Sequence, residues 1–366
     1  MAELRVLYDA TLAGNPAGTG TYTRGLLEAL RQRSDLQLSI SSLAASSVET
    51  LDTARKGRGA RAGNSLRHLA YYLNTLPRRA RQARADVIFC PSALVPLRGR
   101  TPLVMTVYDL TVRRYPQTLD RLSRMYAGFM LATGLRRSRI VCTISQAIGD
   151  EIKASRPGAR VQVAYPGPNP ELSAADVEPV PDLKRPFLLM VGTLEPRKNH
   201  ITVLRAFSGY REHHPDTNLS LVLAGSAGWR YGEVLAAIDD LGLSPYVTRL
   251  GSISPGGLKW LYRNARALLF PSLYEGFGLP VLEAFLLNCP VVAARIPPVI
   301  EIAQRNTAEL LEPLEVDAWM RAIEGLDSSS SDPARLAAAA ERGREFTWER
   351  CGESVAMALR SAIENR

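Results

Sequence analysis

The chain has 366 residues, 46% hydrophobic and 22% charged, the make-up of a globular protein with enough length for two cores. It contains no run of about 18 apolar residues and opens on MAELRVLYDA, so neither a membrane-spanning helix nor a secretory leader is expected. The net charge of +9 divides into +13 over residues 1–175 and −4 over 176–366, so the first half should attract an anion: a phospholipid surface, a lipid pyrophosphate or nucleic acid.

Strands and helices alternate from the start. Arg5–Asp9 reads as a first strand, followed by a glycine-rich loop and a helix from about Thr21 to Arg33. Further strands are predicted at Asp86–Cys90, Leu103–Val107, Ile140–Thr143 and Val161–Ala164. Helices are predicted at Asp120–Leu135 and Ser145–Ala154, the second with Ser145 as its N-cap. The proline-rich stretch Ala164–Arg185 has no apolar period and reads as a linker. The alternation then restarts with strands at Phe187–Val191, Leu219–Ala224, Ala267–Phe270 and Pro290–Ala293 and a helix over Ile201–His213. Helices over Pro333–Arg344 and Thr347–Ile363 end the chain. Short apolar runs without alternation suit strands buried on both faces of parallel sheets. The expected fold is therefore α/β, two Rossmann-like doubly wound domains facing across a cleft. The boundaries are residues 1–170 for an acceptor-side domain, 171–185 for the linker, 186–345 for a nucleotide-sugar-binding domain and 346–366 for a last helix.

The four cysteines, Cys90, Cys142, Cys289 and Cys351, have no CxxC spacing, which fits a reduced protein and gives no zinc signal. The adjacent His213 and His214 read as a solvated helix end, and no metal is expected.

In open α/β sheets, ligands sit beyond the carboxyl ends of the strands. Gly192–Asn199 (GTLEPRKN) occupies such a place. Gly192 and Thr193 leave the strand, and Arg197 and Lys198 stand just before a helix N-terminus, where cations and the helix dipole together suit a diphosphate. Taken by themselves, the two cations read more readily as a solvated loop pair. Phe270–Phe285 (FPSLYEGFGLPVLEAF) is the second such loop. Pro271, Gly276, Gly278 and Pro280 build a tight turn that runs through Phe277 and Leu279 into a helix, with Glu275 on the loop and Glu283 in the first helical turn. Two carboxylates accepting from vicinal hydroxyls suit a sugar and a ribose. Ala224–Ser226 is a third turn at the same level.

The strings VGTLEPRKNH (191–200) and PSLYEGFGLPVLEAF (271–285) resemble the donor-binding motifs of glycosyltransferase family 4, as do GSISPGGLKWLYRNARALLFPS and PVVAARIPPVIEIA. The likeness covers most of residues 186–313 and continues more weakly over the first half. It implies the GT-B fold, retention of anomeric configuration and a nucleotide-sugar co-substrate, GDP-mannose favoured, with no other cofactor. It gives Arg197 and Lys198 the donor diphosphate, Glu275 the transferred sugar and Glu283 the ribose. It gives backbone around Gly276–Leu279 the sugar hydroxyls or phosphate. Gly18-Thr19-Gly20 is similar to the family's N-terminal glycine loop over phosphate and acceptor, and the last helix to one that crosses back to the first domain. One residue departs from the pattern. Comparable enzymes commonly have His-Asp after the Leu103–Val107 strand, where this chain has Tyr108-Asp109; tyrosine does not titrate near neutral pH, and Asp109 is expected either as a catalytic residue or as a turn residue of the loop.

The acceptor is expected to be a glycan or lipid-linked. Arg55, Lys56, Arg58, Arg61 and Arg67 precede Leu69, Tyr71, Tyr72, Leu73 and Leu76, and Arg78, Arg79, Arg81 and Arg84 follow. Such a stretch suits the surface of an anionic membrane. A cytoplasmic enzyme, peripheral on the inner face of the membrane, follows as the expectation. No nucleic-acid module accompanies the basic residues, so no nucleic-acid partner is expected. A GT-B epimerase and a non-catalytic nucleotide-sugar-binding subunit are the alternatives.

Overall fold

The computed structural model describes residues 3–15, 18–43, 67–183, 186–328 and 332–364. The cations Arg55, Lys56, Arg58 and Arg61 lie outside the described residues. The chain forms two compact units, residues 1–167 with 346–366, and residues 168–345.

The first unit carries a parallel sheet of β1 (Leu4–Asp9), β2 (Leu36–Ser41), β3 (Val87–Cys90), β4 (Leu103–Val107), β5 (Ile140–Thr143) and β6 (Val161–Val163). Their spatial order is β2-β1-β3-β4-β5-β6. The chain leaves β1 toward β2 and then crosses to β3 on the other side, so the loops after β1 and β3 diverge from one point. The helix Gly18–Arg31 starts three residues earlier than expected, and Gly18-Thr19-Gly20 form its first turn instead of a loop. Ser145 caps the helix Gln146–Ser155, its side chain accepting from Ile148 N at 3.2 Å.

The second unit repeats the plan with β7 (Phe187–Val191), β8 (Ser220–Ala224), β9 (Val247–Gly251), β10 (Ala267–Phe270), β11 (Val291–Ala294) and β12 (Glu309–Leu311). The order is β12-β11-β10-β7-β8-β9, all parallel. Here the switch falls between β7 and β10. Residues 171–183, read from sequence as linker, belong to this unit. Pro170–Ala174 is a short helix packed on the helix Pro255–Asn264, and Lys259 Nζ donates to Ser173 O and Ala175 O at 3.1 and 2.7 Å.

The last helix, Trp348–Glu364, packs in the first unit. Its Cys351, Val355, Ala356, Ala358, Leu359 and Ala362 join Tyr22, Leu26, Leu30, Phe89 and Cys142 in one apolar core. Arg360 reaches Asp35 Oδ2 at 2.6 Å, and Arg33 holds the same carboxylate at 2.9 Å. The two guanidinium groups hold Asp35 at about 2, below the usual carboxylate range. The closest approach is at Gly25, where a Cβ would fall inside the Trp348 indole.

The aromatic stretch read as membrane-facing is corrected here. A π-helical turn, Tyr71–Thr75, directs both tyrosines inward, and Tyr71, Tyr72 and Leu76 are buried. Tyr72 OH donates to Asp9 Oδ2 at 2.9 Å and Tyr71 OH to Asp9 Oδ1 at 3.2 Å. A buried carboxylate needs donors, and the tyrosines supply them, so these rings are core. Arg78, Arg79, Arg81 and Arg84 remain at the surface.

Gly25→Ala should lower stability by about 1–3 kcal/mol, the usual cost of overpacking. Gly14→Ala, where a Cβ meets nothing within 4 Å, serves as the control. Urea midpoints of the two variants check this.

Candidate active site

The site of the second unit is built where β7 and β10 end. After β7, Gly192 adopts φ +143°, and the chain runs through a 3₁₀ turn, Pro196–Lys198, into the helix His200–His213. The loop after β8 clamps this segment. Leu194 N donates to Ser226 O at 2.9 Å and Gly228 N to Leu194 O at 3.0 Å. A Cβ on Gly225 would collide with the carbonyl of Gly192, so the two loops touch backbone to backbone.

Asn199, left-handed at φ +55°, ties the segment to its neighbours: Nδ2 donates to Pro271 O at 3.1 Å and Pro313 O at 2.8 Å, and Oδ1 accepts from Thr202 at 2.8 Å. Leu273 N donates to Arg197 O at 2.8 Å. The loops after β7 and β10 are thereby one rigid piece.

Glu275 stands at its centre, 8% exposed. Lys198 Nζ donates to its Oε1 at 2.5 Å and Arg197 Nη1 to its Oε2 at 3.2 Å. Burial alone would raise the Glu275 pKa; the charges of Lys198 and Arg197, with bonds from Lys198 and Ser272, outweigh it and hold the group below its ordinary value. Arg197 also donates to Tyr274 O and Glu195 Oε1, each at 2.6 Å. Three protein acceptors orient its guanidinium, whereas Lys198 carries its charge on a flexible stem. His200, buried at the helix start, has Nδ1 without a hydrogen-bond partner. Burial and then the charge of Lys198 lower it to about 4, so it is neutral at pH 7.

Gly276, Phe277 and Gly278 are buried and lead into the helix Leu279–Leu286. Gly278, at φ +123°, is its N-cap, so the first-turn N–H groups at Leu279 and beyond have no side-chain cap. Glu283 is the fifth residue of this helix and so lies past the first turn where sequence placed it. It is 7% exposed and accepts from Tyr262 OH at 2.9 Å. Burial pushes its carboxyl up to about 7, partly offset by the Tyr262 bond. Two carboxyls eight positions apart are thus shifted in opposite directions.

In the first unit, Tyr108 is packed edge-on against Tyr22, and its hydroxyl donates to Pro91 O and, at 3.4 Å, to Thr19 O. In place of the histidine of comparable enzymes, this tyrosine joins the loop after β3 to the first turn of the Gly18–Arg31 helix. Asp109 Oδ1 accepts from Thr111 N at 2.8 Å, shaping the turn after β4. Asp9 is the group that sequence reasoning passed over: a carboxyl 2% exposed at the end of β1, bonded by Thr11 as well as the tyrosines. Its place at a strand's carboxyl end was the available signal. Glu195, Asn199, Tyr262 and Ser272 were likewise not singled out.

The family description "Glycosyl transferases group 1" matches residues 175–344, and "Glycosyltransferase Family 4" matches residues 16–172. The chain belongs to the GT-B glycosyltransferases. Among curated proteins it is similar to O-antigen chain mannosyltransferase B of Escherichia coli, 25% identical over 91% of this chain and 93% of that one. Among solved structures it is similar to sucrose-phosphate synthase from Thermosynechococcus elongatus, with TM-score 0.73, 19% identity and full coverage of both chains. The HepE protein of Anabaena in complex with UDP-glucose gives TM-score 0.68 and 18% identity over 98% of this chain and 100% of that one.

The pH dependence of Glu283 can be tested without substrate. Its folded pKa is raised from 4.5 to about 7, so the folded state holds the proton more tightly than the unfolded one. Stability from this group is full below about pH 4.5 and is lost as pH rises through 7, by on the order of 3 kcal/mol. The parent's Tm should decline between about pH 5 and 7, and Glu283→Gln, fixed in the neutral form, should flatten that decline. Parallel Tm–pH curves for the two proteins would contradict the assignment.

Proposed function

We propose that this glycosyltransferase moves a hexose, mannose favoured, from a nucleotide diphosphate sugar to a glycan or lipid-linked acceptor, with retention of anomeric configuration. The observation that carries the reading is the Lys198–Glu275 pair, placed at the strand-order switch of the second sheet beside a helix N-terminus. The name of the Escherichia coli relative supports mannose.

In this reading the donor diphosphate draws Lys198 away from Glu275. The freed carboxylate then accepts from hydroxyls of the sugar, and Glu283 from those of the ribose. The bond from the anomeric carbon to phosphate breaks, its electron pair leaves with the diphosphate, and positive charge develops on the sugar ring. Lys198 and the N–H groups that open the His200–His213 helix stabilise the departing charge. Arg197, engaged by Glu195, Tyr274 and Glu275, positions the carboxylate. The acceptor hydroxyl attacks from the face the diphosphate leaves, and its proton passes to the leaving phosphate oxygen. This route asks for no protein nucleophile and no resident metal. Among the described residues no cluster of His, Cys, Asp and Glu with ligand geometry occurs.

A thermal-shift panel of nucleotide sugars and nucleoside diphosphates tests the donor. A guanine series should stabilise the chain, by about 2.7 kcal/mol at a hundredfold excess over Kd. Stabilisation by a different base would reassign the donor, and none by any would remove the reading. Glu275→Ala should lower kcat by about 10²–10³ while nucleoside diphosphate affinity holds or rises, because Lys198 is released. Turnover close to the parent's would remove Glu275 from the sugar site.

A further inference from the structure

With the aromatic stretch around Tyr71 and Tyr72 accounted for as core, a different surface becomes conspicuous. The helix Arg121–Arg137 buries Met130, Leu131, Thr133, Gly134 and Leu135 in its second half. Its first half does the reverse. Leu122 is 77% exposed, Met125 62% and Phe129 50%. Spacings of three and four residues put the three side chains on one face, spanning about 10 Å along the axis at 1.5 Å per residue. Single exposed apolar residues are ordinary, but three aligned on one face mark a contact surface.

The charge around the stripe selects its occupant. Arg121 and Arg124 are exposed on the same turns, and Arg113 on the short helix Thr111–Arg114 packed against this helix, where Arg114 is ion-paired with Glu151 at 3.2 Å. Residues 111–139 hold seven arginines and one acid, Asp120, which is engaged as the N-cap through Leu122 N and Ser123 N. A second copy of the chain would bring like charges together. An anionic bilayer satisfies both features, taking the apolar side chains at the acyl boundary and the guanidinium groups at the phosphates.

We propose that Leu122, Met125 and Phe129, with Arg113, Arg121 and Arg124, form the face by which this glycosyltransferase docks on an anionic lipid surface. The proposal deepens the lipid-linked-acceptor reading and rests on it for its purpose. Its test requires neither donor nor acceptor, so the two can fail separately.

The test is co-sedimentation of the full chain with phosphatidylcholine vesicles, with and without phosphatidylglycerol, at low salt. The parent should bind the anionic vesicles and bind neutral ones weakly. The triple variant Leu122→Ser, Met125→Ser, Phe129→Ser and the double variant Arg121→Glu, Arg124→Glu should each lose at least tenfold in vesicle affinity. Because the altered side chains are exposed, Tm and any donor-induced thermal shift should stay at the parent's values, which separates lost docking from lost folding. A parent that ignores anionic vesicles overturns the proposal. So do variants that bind like the parent, an outcome that would move lipid binding to other cations. Sedimentation showing parent self-association that the triple variant abolishes, without vesicle binding, would assign the face to a second copy instead.

Discussion

A carboxylate buried between two cations is the interaction on which the site depends. Glu275 is held by Lys198 and Arg197, and through them the loop after β10 is fixed to the loop after β7. An isolated buried charge of this kind would neutralise itself by taking up a proton. Here the cations keep it ionised, and Asn199 and the backbone of Leu273 remove the freedom of the two loops to drift apart. The strand order makes this possible, because within the second sheet only the switch between β7 and β10 has two adjacent strands sending their following segments in opposite directions. Sheet topology, backbone stitching and ion pairing therefore act at one place.

Glu283 shows the opposite electrostatic solution within the same short string. It has a tyrosine where Glu275 has two cations, and the difference moves one carboxyl up and the other down. The first unit uses the tyrosine solution as well: Tyr71 and Tyr72 satisfy Asp9, while Tyr108 spends its hydroxyl on backbone carbonyls. A phenol donates one hydrogen bond and stays neutral, so it fixes a buried acceptor without adding charge.

What could be read from the sequence follows burial. The interior strands β4, β5, β7 and β10 are runs of apolar residues broken only by Thr106 and closed by Thr143, and their limits in the structure are those the sequence indicates. The strands that went unread, β2, β9 and β12, are all sheet edges, half-exposed and without such a run. The site strings were visible because turn-forming glycines and prolines cluster with charged residues. The pairing of Lys198 with Glu275 was not, since 77 positions separate them. The membrane-like stretch misled for the same reason: Tyr71 and Tyr72 look interfacial until Asp9, 62 and 63 positions earlier, supplies a polar partner inside. The start of the Gly18–Arg31 helix was hidden because glycine is a poor helix former, and only the fold shows the Gly18–Gly20 turn already wound.

The return of Trp348–Glu364 to the first unit has a consequence for biogenesis. Residues 168–345 form a contiguous body whose contacts are complete once that stretch has been synthesised. The first unit is in a different position, since Tyr22, Leu26 and Leu30 lack their covering helix until more than three hundred residues have been made. Domains emerging from the ribosome ordinarily complete themselves from the N-terminus onward. In this chain the order inverts: the later body can close first, while the earlier one keeps an open apolar face through nearly all of translation.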